Sequence, residues 1–370
     1  MAGIYIHIPF CAKRCIYCGF FSTVRQDEAV RYVQAVCREL RLRKDYLDGE
    51  PVRTVYFGGG TPSRLTPEQI GQIINVIGDT FGLDKVEELT VECNPDDITP
   101  RYVTSLRALG VNRISMGVQT FNQDLLRFLN RRHDAVQAMD AVRICRESGV
   151  SNISIDLMYG LPGQTLDMFH EDLMTALSTN VQHISSYCLS YEENTPLLAL
   201  RDQGKLTPVD DDLCFNMFTL MCHTLREGGF EHYEISNFCR PGYHSRHNSS
   251  YWDGTPYLGL GAGAHSYNRT SRQWNISDLD AYMEGVEQGS LAYDIEQLSD
   301  ADLFNERIML SLRTSHGLDL LSLTETERSN LLENAGTFLS DGSLLLENGR
   351  LRIPESEMFI SDSLISSLFC

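Results

Sequence analysis

Six short apolar runs, separated by amphipathic helical patterns, constrain this chain more than any other feature. They are "IYIHIP" from residue 4, "TVYFG" from 54, "ELTVEC" from 88, "RISMGV" from 113, "ISIDLMYG" from 153 and "HISSYCLS" from 183. Between the first two, Val33, Val36, Cys37 and Leu40 recur at i, i+3, i+4 and i+7, one face of a helix. Thr66, Pro67 and Gln69 have the chemistry of a helix start: a hydroxyl to accept a backbone N–H, a proline that needs no N–H, and an amide to reach back. Thr99-Pro100 opens another helix in the same way. Strand-helix alternation of this kind implies right-handed βαβ crossovers and a parallel sheet. Six units in succession favour an α/β fold with a partial (β/α)6 TIM-like barrel over a flat sheet, and spacing alone does not decide between them.

The unusual residues fall where each run stops. A cysteine-rich loop follows the first strand and "GGGTP" (Gly58 to Pro62) the second. "ECNP" ends the third, Gln119 the fourth, Asp156 lies in the fifth, and Ser190 and Tyr191 end the sixth. In parallel α/β folds, the rim at the carboxyl ends of the strands is where ligands bind.

After about residue 200 the pattern changes. A helical stretch near 208–228 precedes "FEHYEISNF" and "HNSSYWDGTPYLGLGAGAHSY". Helices are predicted over Asp300 to Leu312 and Ser322 to Leu339, then a hairpin around Asn348-Gly349, then a closing helix. The organisation expected is therefore a barrel over 1–200, an extension over 201–290, and a small helical, winged-helix-like unit over 291–370.

Composition removes several classes. Fifty acidic against 31 basic side chains, a formal charge of −19, argue against a nucleic-acid backbone as main partner, because phosphates need a basic face. No apolar run is long enough for a transmembrane helix. "MAGIYIHIPF" lacks the charged and long apolar regions of a signal peptide, which leads to a cytoplasmic expectation and leaves peripheral membrane contact open. The eleven cysteines are then reduced thiols and ligands rather than a disulfide framework.

Three of them, Cys11, Cys15 and Cys18, stand in the loop "CAKRCIYCGF". Structural zinc wants four ligands, usually as two paired motifs, and no second pair follows. Cys37, Cys145, Cys214 and Cys222 sit in helical patterns and Cys93 and Cys188 in strand patterns, where a thiol is ordinarily core. "CRPGYHSRH", with Cys239, His244 and His247, is a weak zinc candidate. A [4Fe–4S] cubane fits the trio better: three thiolates of one loop reach three irons and leave the fourth open to an exchangeable ligand.

The C-x3-C-x2-C spacing, with Tyr17 before the third cysteine, resembles the radical S-adenosylmethionine (SAM) superfamily. The resemblance implies that SAM chelates the open iron. By the same resemblance, Gly59, Gly60 and Thr61 of "GGGTP" match the loop facing its amino group. Glu92 and Gln119 lie where the ribose and nearby polar groups bind. Arg131 matches the partner of its carboxylate, Asp156 the acidic residue near the adenosine, Tyr5 a further contact, and Ser190 a looser one. Within the superfamily, "YIHIPFCAKRCIYC", "VYFGGGTPS", "ISMGVQTF", "IDLMYGLPGQT" and "YEISNF" resemble the coproporphyrinogen III oxidase-like group over essentially the whole chain. The oxidases themselves carry a further cysteine two residues past the third and a longer N-terminal arm. This chain has Phe20 there, three residues before Ile4, and the complete HNxxYW motif His247-Asn248-Ser249-Ser250-Tyr251-Trp252 of the HemW-type haem chaperones. Gly19, where those proteins usually have Asp, and Cys239 depart from the pattern without removing a ligand.

The resemblance implies a protein that binds haem and transfers it to an acceptor protein. Its [4Fe–4S] cluster and SAM would be served by an electron donor. His247, with Tyr251 and Trp252 as flanking rings, and His265 in "GAGAHSY" are the haem-associated candidates, since imidazole is a common axial ligand and aromatic rings suit a flat macrocycle. His247 as a backbone-bonded residue over a core Trp252 is the structural alternative. The competing function is an oxidoreductase that oxidatively decarboxylates coproporphyrinogen III in porphyrin biosynthesis. No catalytic residue is assigned, and the expectation leans away from porphyrinogen turnover.

Overall fold

The computed structural model describes residues 1–369. The six apolar runs form strands β1 (Ala2–Ile8), β2 (Val52–Gly59), β3 (Glu88–Cys93), β4 (Arg113–Gln119), β5 (Asn152–Tyr159) and β6 (His183–Cys188). They pair in parallel in sequence order, with Ile4 beside Val55 and Ile6 beside Phe57. Their side chains are buried on both faces, as helix-covered parallel strands require. The helices between and around them are α1 (Ala29–Leu42), α2 (Pro67–Phe81), α3 (Pro100–Ala108), α4 (Gln123–Phe128), α5 (Ala135–Glu147), α6 (Leu166–Ser178) and α7 (Pro196–Asp202).

Local chemistry sets the boundaries. At α2 the Thr66 hydroxyl accepts from Gln69 N while Gln69 Oε1 accepts from Thr66 N, and Pro67 occupies the first turn. Thr99 caps α3 through Tyr102 N. The expectation that Ser190 and Tyr191 end the sixth strand is corrected by two to three residues, because β6 stops at Cys188.

The segment expected as an extension over 201–290 adds strands to the same sheet. Helix α8 (Asp211–Glu227) leads to β7 (Glu231–Glu234) and β8 (Asn237–Cys239), which join antiparallel to β6. After α9 (Arg246–Trp252), β9 (Tyr257–Leu260) pairs parallel to β1, and β10 (His265–Tyr267), β11 (Ser271–Asn275) and β12 (Tyr293–Gln297) continue outward beyond it. The result is a twelve-stranded sheet, β12-β11-β10-β9-β1-β2-β3-β4-β5-β6-β8-β7, in which β1 and β6 do not meet. The barrel is therefore partial, and its free edges are covered by added strands. Helix α10 (Leu279–Glu287) packs on α1, where Glu39 binds Tyr282, Asn275 and the Gly261 amide.

The remaining chain is α11 (Asp300–Leu312), β13 (Leu318–Asp319), α12 (Glu325–Asp341), the hairpin β14 (Leu345–Glu347) and β15 (Arg350–Arg352), and α13 (Ser361–Ser366). Asn348 and Gly349 both take positive φ, 51° and 76°, as a type I′ turn demands.

Candidate functional site

A cavity of about 700 Å³ opens at the carboxyl ends of β1–β6. Its volume lies in the range of small-molecule and cofactor sites. The structure brings Cys11, Cys15, Cys18, Gly59, Gly60, Thr61, Glu92, Gln119, Arg131, Asp156 and Ser190 together around it. These residues come from six separate strand ends, so only the barrel makes them neighbours.

The cysteine loop is held at both ends. Cys11 N donates to Thr23 O at 2.8 Å and Thr23 N to Pro9 O at 2.7 Å, closing its base. Asn130 Nδ2 donates to Arg14 O, and Leu197 N to Ile16 O. Ile16 and Tyr17 pack on a small apolar cluster that includes Leu125, Leu129, Met158 and Leu197. With its middle anchored this way, the loop presents three half-buried thiols to the cavity. Thr61 Oγ1 donates to Cys11 Sγ at 3.4 Å and Arg131 Nη1 to Cys15 Sγ at 3.3 Å. Burial pushes the Cys11 and Cys18 thiols up, so a metal must displace protons to bind there.

The glycine strip is required by what lies behind it. A Cβ on Gly60 would stand 2.8 Å from the Pro9 carbonyl carbon and oxygen; one on Gly59, where φ is +110°, would stand 2.5 Å from the His7 ring. The strip therefore presents bare backbone to the cavity. Glu92 accepts from Tyr56 OH at 2.7 Å and from Gly59 N at 3.2 Å, and burial raises it to about 7. Asp156 is raised to about 6, again chiefly by burial. Arg131 reaches Asn94 Oδ1 and the Gly117 carbonyl while its Nε has no partner among the described residues. Gln119 sits at a β4–β5 register shift with φ +71°, a strained conformation that aims the strand end into the cavity. Ser190 is exposed and donates to Glu192. Three thiols, two carboxylates, an arginine and bare backbone on one wall fit a polynuclear iron–sulfur cluster with an amino-acid-bearing nucleoside beside it.

Tyr5 is not among the cavity-lining residues. It stands behind the glycine strip, its hydroxyl 3.2 Å from His7 Nδ1. Asn94, which fixes Arg131, was not singled out by sequence reasoning, although its place at the end of "ECNP" carried the signal. Phe20 is 67% exposed on the cavity rim. A Cβ on Gly19 would stand 3.1 Å from the Glu192 Cβ and Cγ, so a side chain there requires that neighbour to shift.

The structure does not bring His247, Tyr251 and Trp252 to this cavity. Helix α9 closes the opposite end of the barrel, at the start of β1, β2 and β3. His247 is 1% exposed, its Nδ1 lies 2.8 Å from Thr54 Oγ1, its Nε2 3.0 Å from Tyr251 OH, and its amide donates to Glu88. Its ring stacks on Tyr56 at 5.0 Å. Burial lowers its pKa to about 3. Both ring nitrogens are occupied, by the Thr54 and Tyr251 side chains and not by the backbone, and Trp252 is half-buried and not core, so the residue is packed here in a way that neither reading anticipated. His265 differs, being exposed on β10 and stacked on Trp274.

A family model of the radical SAM superfamily matches residues 5–176. Over 371 aligned residues the chain is 35% identical to the heme chaperone HemW of Mycobacterium tuberculosis, covering 99% of this chain and 94% of that one. It is 34% identical to HemW of Bacillus subtilis over 98% of this chain and 95% of the relative. The solved structure of coproporphyrinogen III oxidase (HemN) from Escherichia coli superposes with a TM-score of 0.85 at 24% identity, covering all of this chain and 90% of that one; at this identity it speaks for the fold.

Proposed function

This chain belongs to the HemW family within the radical SAM superfamily, and on that premise we propose that it is a cytoplasmic haem chaperone, binding haem and passing it to an acceptor protein. The observation that carries the reading is kinship along the whole chain with relatives named for that activity. Cys11, Cys15 and Cys18 would hold three irons of a [4Fe–4S] cluster. Arg131, already aimed at Cys15 Sγ, would pair with the SAM carboxylate, and the glycine strip would receive its amino group. Glu92 and Asp156 would bind the nucleoside, each carboxyl offering an oxygen that accepts a hydrogen bond from a ligand hydroxyl. When bound, the cluster supplies one-electron chemistry. Among the described residues no helix is long and apolar enough to cross a membrane, which leaves delivery at a membrane surface to contacts outside any span.

Of the histidines considered for haem, His265 is the one whose ring is accessible, beside an indole that matches a flat macrocycle. The test is a haem titration followed at the Soret band, with transfer to an apo-haemoprotein, beside an anaerobic assay on coproporphyrinogen III with SAM and a reductant. Haem binding and transfer without porphyrinogen turnover is expected. Multiple turnovers with no haem binding would establish the oxidoreductase reading in its place.

A further inference from the structure

Away from the cavity, one cluster of metal-ligating side chains has no part in anything above. Cys222 on α8, His232 on β7 and Glu355, just past the C-terminal hairpin, place a thiol, an imidazole nitrogen and a carboxylate oxygen within 4.8 Å of one another. Cys222 Sγ is 3.8 Å from His232 Nδ1, and Nδ1 is 3.0 Å from Glu355 Oε1. Zinc with bonds of ~2.3 Å to sulfur and ~2.0–2.1 Å to nitrogen or oxygen, at tetrahedral angles, separates S from N by about 3.6 Å and N from O by about 3.3 Å. These two separations match within a few tenths of an ångström, and the sulfur–oxygen pair lies within 4.8 Å.

The imidazole is prepared for this role. Its ring is clamped against Phe238, centroids 4.1 Å apart at 14°. Nε2 faces the Ile235 carbonyl at 3.4 Å; with the ring proton there, Nδ1 keeps a lone pair for a metal. Nδ1 lies 3.0 Å from a carboxylate oxygen, a separation that a ring proton spans in one tautomer and that a metal ion would span in its place. An independent sign lies two residues on. Glu234 is 1% exposed, its Oε1 has no hydrogen-bond partner among the described residues, and with His232 and Glu355 it lines a second cavity of about 120 Å³. A buried carboxylate oxygen without a donor is costly, and a nearby cation offsets that cost. Arg226 pairs with Glu355 Oε2, leaving Oε1 for the ion. The thiolate and the Glu355 carboxylate would together balance the charge of a divalent metal.

We propose that Cys222, His232 and Glu355 bind a structural zinc ion whose fourth position faces the small cavity that Glu234 lines. The site would tie the C-terminal unit to the β7 edge of the large sheet, where Ile235 N already donates to Arg313 O and Ser315 N to Tyr233 O. The test uses cluster-loaded protein, so that Cys11, Cys15 and Cys18 are occupied. It is exposed to zinc sulfate, passed through gel filtration, and read by elemental analysis and zinc-edge X-ray absorption. About one zinc per chain is expected, with one sulfur neighbour at ~2.3 Å and the rest nitrogen or oxygen. Cys222→Ser should remove the sulfur, and Cys222→Ser and His232→Gln should each lower retention about tenfold or more with iron content unchanged. Should either fail to fold, the half-exposed Glu355→Gln must lower retention instead. Absence of retained zinc in the wild type, a sulfur neighbour that survives Cys222→Ser, or undiminished retention in Glu355→Gln overturns the proposal. Loss of the sulfur in Cys239→Ser also overturns it, moving the metal to the neighbouring Glu231, Cys239 and His244.

Discussion

Replacing His247 by alanine tests whether the HNxxYW motif acts here through ligand contact or through packing. The imidazole is buried, with hydrogen-bonding groups at both nitrogens and a tyrosine ring on its face. Its removal deletes two hydrogen bonds of ~0.5–1.5 kcal/mol each and strands the Thr54 hydroxyl, itself 4% exposed, at ~1–3 kcal/mol. The sum is about 2–6 kcal/mol before any cavity cost. Unfolding entropy of ~2.1 cal/mol/K per residue over 370 residues is about 0.8 kcal/mol/K, so the melting temperature should fall by about 3–8 °C. The assay is thermal melting of the apo protein by circular dichroism, beside a haem titration at a temperature where both variants are folded. Haem affinity there should change little, and His247→Gln, which retains a donor and an acceptor, should recover part of the stability. A melt unchanged within about 1 °C together with a tenfold loss of haem affinity would refute the packing account and make His247 a ligand.

Each of Cys11→Ala, Cys15→Ala and Cys18→Ala should abolish binding of about four irons per chain, while Cys37→Ala, buried in α1, should leave it intact by iron analysis. Gly60→Ala drives a methyl against the Pro9 backbone, which cannot yield as a side chain can; expected are a loss of about 1–3 kcal/mol and impaired cluster assembly, read by denaturant unfolding and iron content. Glu92→Gln should stabilise the apo protein increasingly as pH rises from about 5 to 8: the folded pKa of about 7 lies above the unfolded 4.5, so the carboxyl's contribution is present below 4.5 and is lost through 7. A difference independent of pH in melts across that window would contradict the buried-carboxylate account. His7 and His232, both lowered by burial to about 4, act oppositely, being protonated first in the unfolded chain. Their contribution is present above about 6.5 and lost as pH falls toward 4, so melting temperature should drop over that interval.

Local chemistry made much of this molecule legible. Strand-helix alternation determined the parallel sheet because buried strands need apolar runs and crossovers need amphipathic helices. Thr66-Pro67-Gln69 and Asn348-Gly349 determined a helix start and a turn because the bonds they make span three residues or fewer. That most of these residues share one rim was readable too, since most lie at or just past a strand end and the rule linking strand ends to ligand sites is topological. What the sequence left open depends on contacts made far along the chain. Strands β7 to β12 belong to the large sheet only because β6 and β1 expose edges whose backbone groups must be paired, and nothing in "FEHYEISNF" names its partner. His247 reads the same in one dimension whether it meets a ligand or Thr54; only folding sets it against the start of β2. Cys222 reads as an inert helical core residue until β7 and the segment after the last hairpin bring His232 and Glu355 beside it.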